Sequence, residues 1–249
     1  MQSRSTHRAR RERRSGAAHE RSLEQNLIIA ALSVSVVILA TLATVVLYGL
    51  QLDKAPRTLE ERNLAVAQAA VADAPDDATS WLMLAYAQAE AGRYSAAEDA
   101  IEKGRAVNDM AAFAIAYAYV AEAQGDIQEA IERYEAAKQQ AVADAEAHAA
   151  ELAEVGVAYD VANTELVDAA VAKARLLAAT EQWESALVEY DVALRENPRM
   201  SDILVERGNL RHSLGDDAGA REDYQEALRF IPEMPEAIEG LARIGGSTR

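Results

Sequence analysis

The chain of 249 residues contains no cysteine and only two phenylalanines and two tryptophans. Without cysteine it has no disulfide, no thiolate nucleophile and no cysteine-based metal site. Its four histidines are scattered, and no two of them have the spacing of a zinc site. A glycine-rich phosphate loop, a His-Glu-x2-His segment and a Ser-His-Asp set are also missing. We therefore expect a protein that is not an enzyme and that binds no metal or cofactor.

Positive charge is scarce after the N-terminal region. The net charge is −16, yet residues 1–26 hold seven arginines against three glutamates, whereas residues 53–249 hold 18 basic and 38 acidic side chains. A region this acidic repels the phosphate groups of nucleic acids, and contacts to those phosphates supply most of the affinity in nonspecific binding. For this region we expect no nucleic-acid partner, and instead a protein or peptide partner that is apolar and basic.

Residues 27–52 carry no charge and consist mostly of Leu, Ile, Val and Ala. At roughly 1.5 Å per residue, a helix of this length crosses the ~30 Å hydrocarbon core of a bilayer. We predict a single transmembrane helix over 27–52, preceded by a basic disordered tail over 1–26. A cleaved signal peptide is the main alternative, although its apolar region is usually only 7–15 residues long.

The arginines before residues 27–52 also predict the topology. Basic residues beside a membrane span stay on the cytoplasmic side, so the N-terminus should be cytoplasmic and the region from residue 53 extracytoplasmic, at the plasma membrane. The tail could in addition bind anionic lipid headgroups. The sequence leaves the inverted topology open.

A pattern repeats four times along residues 76–246. Each unit is centred on a turn, and these turns begin at Gly92, Gly125, Glu181 and Gly215. Seven positions before each turn stands a small residue, and five positions after it an alanine. The small residues are Ala85, Ala118, Ala174 and Gly208 before the turn, and Ala97, Ala130, Ala186 and Ala220 after it. Small residues let two helices approach closely, so each unit should be a pair of antiparallel helices, and the pairs must stack to bury their apolar faces.

The turns at Gly92 and Gly125, and those at Glu181 and Gly215, are separated by a period of about 34 residues. With the run Trp81-Leu82-Met83-Leu84-Ala85 and the closing prolines Pro198 and Pro232, this pattern resembles the tetratricopeptide repeat family. The resemblance implies an all-α fold, a right-handed solenoid of helix-turn-helix repeats over 76–246. Residues 53–75 should form a linker and a capping helix, and residues 247–249 a frayed tail. The chain departs from the family pattern at Lys173, Glu181 and Arg207.

The turns at Gly125 and Glu181 are too far apart for one repeat and too close for two. Val142 stands where the second repeat should have its closing proline, and strong helix formers continue beyond it. We predict a helix near 127–155 that is overlong for the family and ends at Gly156. It could protrude as a surface for a partner or for self-association into a homo-oligomer, or it could pack along its own solenoid.

In a solenoid of this kind, function resides in the concave groove lined by the first helix of each pair. We predict a groove with an apolar, aromatic inner part and an acidic rim, suited to an extended or helical peptide with apolar and basic residues. The candidate partner-binding residues are Thr79, Leu82, Met83, Tyr86, Glu90, Ile115, Tyr119, Glu122, Val171, Arg175, Val205, Asn209 and His212. Family members that hold chaperone C-terminal carboxylates use a set of Lys, Arg and Asn that this groove lacks, apart from Arg175 and Asn209.

These features predict a membrane-anchored scaffold that binds or organises other proteins at the outer side of a bacterial-type plasma membrane. The alternative is a chaperone-like holder of apocytochrome or other secreted polypeptides in a maturation or translocation pathway. It arises because residues 59–97 are similar to the repeat domain of cytochrome c maturation chaperones.

Overall fold

The computed structural model describes residues 39–44, 58–158 and 161–246, and the chain divides into two units, 1–57 and 58–249. In the first unit, residues 39–44 are helical. No helix among the described residues is long and apolar enough to cross a membrane. The predicted tail over 1–26, and the predicted anchor over 27–52 apart from 39–44, lie outside the described residues, as do residues 247–249. The anchor therefore stays a prediction.

The second unit is built from helices, and its described residues include no strand. The helices are α1 (Leu59–Asp73), α2 (Ala78–Glu90), α3 (Tyr94–Val107), α4 (Ala111–Gln124), α5 (Ile127–Glu154), α6 (Thr164–Ala179), α7 (Trp183–Glu196), α8 (Ser201–Ser213), α9 (Asp217–Phe230) and α10 (Pro235–Gly246). Four pairs follow in order: α2 with α3, α4 with α5, α6 with α7, and α8 with α9. Helix α1 packs on the first pair and α10 on the last, so the expected all-helical solenoid is confirmed.

The small residues of the repeat hold each pair together as predicted. All seven alanines at these positions have no exposed surface, and Gly208 is buried against the ring of Tyr224. The turns between paired helices need a left-handed residue, and Gly92, Gly125 and Gly215 supply it with φ between 68° and 87°. Glu181 adopts the same conformation with φ of 62°, although it is not glycine. The turn geometry is therefore kept even where the sequence departs from the pattern.

Helix α1 closes the N-terminal end of the solenoid. Thr58 and Glu61 form a capping box at its start, which satisfies two backbone N–H groups reciprocally. Leu64 and Ala67 are buried in the core shared with α2, and Val71 packs beside them, so this face of α1 covers the first repeat. Asp77 then caps α2 by accepting hydrogen bonds from the backbone N–H groups of Thr79 and Ser80, which fixes where the first repeat begins.

The overlong helix expected near 127–155 corresponds to α5, which has 28 residues and ends at Glu154, just before Gly156 with its φ of 76°. The first half of α5 is buried through Ala130, Tyr134, Ala137 and Ala141, whereas most residues after Ala141 are exposed. The Asn163 side chain caps α6 and also donates to the backbone oxygen of Ala141 at 2.8 Å. This bond ties the start of the third repeat to the point where an ordinary second helix would end.

Two departures from the repeat pattern, Lys173 and Arg207, form buried ion pairs. Lys173 lies 2.8 Å from Glu189 and 2.6 Å from Glu135, and Lys138 of α5 joins the same cluster. The four side chains connect α5, α6 and α7 across the irregular boundary between the second and third repeats. Arg207 pairs in the same way with Asp223 at 2.6 Å.

Candidate partner-binding groove

The first helices of the four pairs, α2, α4, α6 and α8, carry all the predicted groove residues. Helix α2 contacts α4, α4 contacts α6, and Arg175 of α6 is hydrogen-bonded to Glu206 of α8, so these residues line up across successive repeats. Thr79, Met83, Glu90 and Arg175 are exposed; Leu82, Tyr86, Tyr119, Glu122, Asn209 and His212 are half-buried; Ile115, Val171 and Val205 are buried. The last three side chains belong to the cores between helices, so they pack the solenoid and do not present a surface to a partner.

Two predicted aromatic residues meet on this face. The rings of Tyr86 and Tyr119 lie with centroids 5.3 Å apart and planes tilted by 58°. Burial, followed by the negative charge of Asp168, raises the pKa of Tyr86 to about 12, so its hydroxyl stays protonated. Both rings keep part of their surface open to solvent. The pair therefore serves packing between the first two repeats and is also accessible to a ligand.

Carboxylates surround the two rings. Burial and then the charges of Glu90 and Glu122 raise the pKa of Tyr119. Tyr134, which comes from α5 and is buried, donates its hydroxyl hydrogen bond to Glu122 Oε2 at 2.7 Å. That bond holds the Glu122 carboxylate in place and adds to burial in raising the pKa of Tyr134.

Asp168 completes this surface, although the sequence analysis did not select it. Burial and then the charge of Glu165 raise the pKa of Asp168. Asp168 has the same offset from the turn of its repeat as Thr79 has in the first repeat, so extending that one offset to every repeat would have found it. We call Tyr86, Glu90, Tyr119, Glu122 and Asp168 the tyrosine–acid half of the groove. Every charge that shifts the pKa values of Tyr86, Tyr119 and Asp168 is negative.

The other half of the groove, on α6 and α8, pairs its own charges. Arg175 donates two hydrogen bonds to Glu206, at 2.9 and 2.7 Å, and Tyr190 donates a third to the same carboxylate. Asn209 Oδ1 accepts hydrogen bonds from Tyr224 at 2.9 Å and from Arg243 at 2.8 Å. We call Arg175, Glu206 and Asn209 the self-paired half. In it, the predicted ligand-binding groups are already occupied by intramolecular partners.

His212, the last predicted groove residue, lies with Nδ1 2.5 Å from Asp217 Oδ1 at the start of α9. It therefore joins the two helices of the fourth repeat. Among the residues that the structure describes, no three His, Asp or Glu side chains are grouped so that they could hold a metal ion. The chemistry that the groove offers is thus hydrogen bonding, aromatic contact and negative charge.

Several solved structures share this fold. BtubC (BKLC) from P. vanneervenii matches with a TM-score of 0.58 and 16% identity, over 77% of this chain and 85% of that one. PilF from Pseudomonas aeruginosa matches with a TM-score of 0.55 and 15% identity, over 76% and 77%. A tetratricopeptide repeat protein from Parabacteroides merdae has 20% identity and a TM-score of 0.49 over 67% of this chain, which spans only 58% of its length. At these identities the likeness to BtubC and PilF shows the fold alone.

No curated protein matches the chain. A sequence model of the tetratricopeptide repeat, however, matches residues 52–111 and 171–235, which together make up half of the chain. The first match contains α1 to α3, and the second contains most of α6 and all of α7 to α9. The stretch between the matches holds the long helix α5, where the repeat is irregular. The chain belongs to the tetratricopeptide repeat family.

Proposed function

We propose that this protein is a membrane-anchored scaffold that binds a basic and partly apolar segment of another protein in the concave groove of its solenoid. Proteins with this fold bind protein or peptide partners and are generally not catalytic. The observation that carries the proposal is the tyrosine–acid half, where two accessible aromatic rings stand beside three carboxylates. A partner with apolar and cationic side chains complements the rings and the negative charge of that surface.

The anchor of the proposed scaffold is residues 27–52, with the N-terminus in the cytoplasm and the solenoid outside it. The uncharged length of this segment and the arginines before it support this arrangement. Because the chain has no cysteine, a single Asp99→Cys substitution on α3 gives one thiol to label. We expect a maleimide that cannot cross the membrane to label it in sealed cells. Labelling only after lysis would indicate the inverted topology, and a shortened chain in the soluble fraction would indicate a cleaved signal peptide.

Binding through the groove is tested by capture and then by mutation. A photoreactive residue in place of Met83, which is 48% exposed, should crosslink a defined partner in the native membrane, whereas one in place of Asp99 on α3 should not. With that partner purified, Tyr86→Ala combined with Tyr119→Ala should weaken binding by more than about 1 kcal/mol, because central aromatic anchors dominate such interfaces. Unchanged affinity in a variant of normal helicity would contradict the proposal.

The captured species also distinguishes the chaperone-like alternative. A scaffold should yield one or a few folded partners, whereas a holder of secreted polypeptides should yield many unfolded chains. Specific capture of apocytochrome would favour a role in cytochrome maturation.

A further inference from the structure

We infer that the tyrosine–acid half is a receptor for one basic side chain of the partner segment, an arginine in preference to a lysine, and that the self-paired half contributes no charge to recognition. The inference rests on the proposed function and names the chemical class that the groove selects. It is argued from the arrangement of rings and carboxylates on α2, α4 and α6.

The rings and carboxylates alternate along the helices. Glu90 follows Tyr86 by four residues on α2, and Glu122 follows Tyr119 by three on α4, so each ring has a carboxylate one helical turn away on the same face. The rings themselves are in contact at 5.3 Å. A planar guanidinium can stack on an aromatic face while donating hydrogen bonds in its own plane to carboxylates, which an ammonium group cannot do. The arrangement therefore favours arginine.

Glu122 is held in place before any ligand arrives. The Tyr134 hydroxyl donates to Oε2, and a carboxylate oxygen can accept more than one hydrogen bond. Oε1 accepts no hydrogen bond from the described residues, and we expect it to accept one from a partner. A carboxylate fixed in this way loses little conformational freedom on binding, which improves affinity.

The charge of this surface is not balanced within the groove. Among the described residues, Glu90, Glu122 and Asp168 form no ion pair with a basic side chain. After burial, the charges that raise the pKa values of Tyr86, Tyr119 and Asp168 are those of carboxylates and of other tyrosines. In the self-paired half, by contrast, Arg175 meets Glu206 in a bidentate pair. A basic side chain from a partner would bring to the tyrosine–acid half the positive charge that Arg175 already supplies in the self-paired half.

An apolar contact adjoins the receptor. Met83 is exposed and lies three residues before Tyr86 on α2, which is roughly 4.5 Å along the helix axis. An extended segment advances about 3.3 Å per residue. We therefore expect the bound segment to carry a large apolar residue one or two positions from its arginine.

The test uses the full-length protein in detergent and a positional-scanning library of nonapeptides with blocked termini. We expect enrichment of arginine, and less of lysine, at one position beside an apolar residue. The triple variant Glu90→Gln, Glu122→Gln and Asp168→Asn should lower the affinity of an enriched peptide roughly tenfold, with less effect at high salt. Glutamine at position 122 can still accept the Tyr134 hydrogen bond, so the fold should survive, as circular dichroism would show.

The matched control removes the same charge elsewhere. Asp99→Asn, Glu146→Gln and Glu184→Gln change exposed carboxylates on α3, α5 and α7, and should leave the affinity unchanged. Enriched peptides without a basic residue, or an equal loss of affinity in both triple variants, would overturn the receptor while leaving the proposed function intact. If the library yields no enriched peptide but the Met83 capture succeeds, the receptor for an isolated segment is likewise overturned. Failure of both experiments would overturn the proposed function itself.

Discussion

The first two repeats and the last two differ in one contact between their paired helices. It joins the residue eight positions before each turn to the residue eight positions after it. The residues there are Leu84 and Ala100, Tyr117 and Arg133, Lys173 and Glu189, and Arg207 and Asp223, from the first repeat to the fourth. The first pair is apolar and buried, and in the second the Arg133 guanidinium lies 5.3 Å from the Tyr117 ring centroid. The third and fourth are ion pairs whose carboxylates are 6% and 2% exposed.

This difference shows that one helix-pair geometry is compatible with two kinds of internal contact. An apolar pair gains from burial, whereas a buried ion pair must offset the cost of desolvating both charges and is therefore sensitive to the loss of either partner. The consequence extends to the groove. On the groove face of the last two repeats, Arg175 is paired with Glu206. In the part of the chain that the structure describes, Glu90, Glu122 and Asp168 form no ion pair with a basic side chain.

The largest effect is expected from removing Asp223, the buried carboxylate of the fourth repeat. Asp223→Ala leaves Arg207 and Arg211 without their shared buried carboxylate, and we expect a loss of about 3 kcal/mol in the free energy of unfolding, measured by urea denaturation. Adding Arg207→Leu reproduces the chemistry of Leu84 and Ala100 in the first repeat. The double variant should recover part of the loss, and a double variant that is less stable than the single one would contradict the comparison.

The first repeat, whose pair is apolar, should instead be destabilised by an added side-chain atom. Gly104 stands where the later repeats have Ala137, Ala193 and Ala227, and a Cβ there would overlap the buried ring of Phe113 and approach Trp81 Cβ to 2.9 Å. Alanine favours the helix more than glycine does, but the steric overlap should outweigh that gain. We expect Gly104→Ala to lower the free energy of unfolding by about 1–2 kcal/mol.

The smaller side chain of Phe113→Leu provides the control for this crowding. Combined with Gly104→Ala, it should cost less than the two single changes added together. Strict additivity in urea denaturation would show that the ring is not what excludes the alanine.

The ion cluster between the second and third repeats predicts that the stability of the fold depends on pH. Burial opposes ionisation of Glu135, but hydrogen bonds from Lys173 and Lys138 prevail and lower its pKa to about 2. A lowered folded-state pKa stabilises the fold above the unfolded value near 4.5, and this contribution is lost as pH falls through about 2. Glu135→Gln should therefore cost about 1 kcal/mol at pH 7, a modest value because the carboxylate is partly exposed. The difference from wild type should shrink at pH 2.5, and a difference that is constant with pH would refute the assignment.

The smallest effect concerns the turn of the third repeat. Glu181 has a φ of 62°, which costs a residue with a Cβ about 1 kcal/mol or more, whereas glycine adopts it freely. Because glycine also makes the unfolded chain more flexible, Glu181→Gly should stabilise by only about 0.5 kcal/mol, seen as a slightly higher Tm. Gly215→Ala in the fourth repeat is the reverse change and should destabilise. A lower Tm for Glu181→Gly would show that the Glu181 side chain makes a compensating contact.

Much of this fold could be predicted from the spacing of small residues. Ala85, Ala97 and their equivalents mark where two backbones come close, and that requirement is local enough to appear in every repeat. The long helix was also predictable, because Val142 replaces a helix-ending proline. The ion pairs were not, since Lys173 and Arg207 looked like departures until Glu189 and Asp223 were seen to face them from the second helices.

The groove was less predictable than the fold. Offsets from the turn correctly brought Tyr86 and Tyr119 onto one face, but they could not show that Ile115, Val171 and Val205 are covered by neighbouring repeats. Whether a residue at a groove position is open depends on how tightly successive pairs stack, which the repeat pattern does not encode.

The most direct test of the account compares equivalent positions in the two halves of the groove. Thr79 and Asp202 are both exposed, and they have the same offset from the turns of the first and fourth repeats. With a photoreactive residue at either position in the full-length protein in its membrane, the account predicts a strong partner crosslink from position 79 and little from position 202. Equal crosslinking from both positions, or crosslinking from position 202 alone, would contradict the division of the groove.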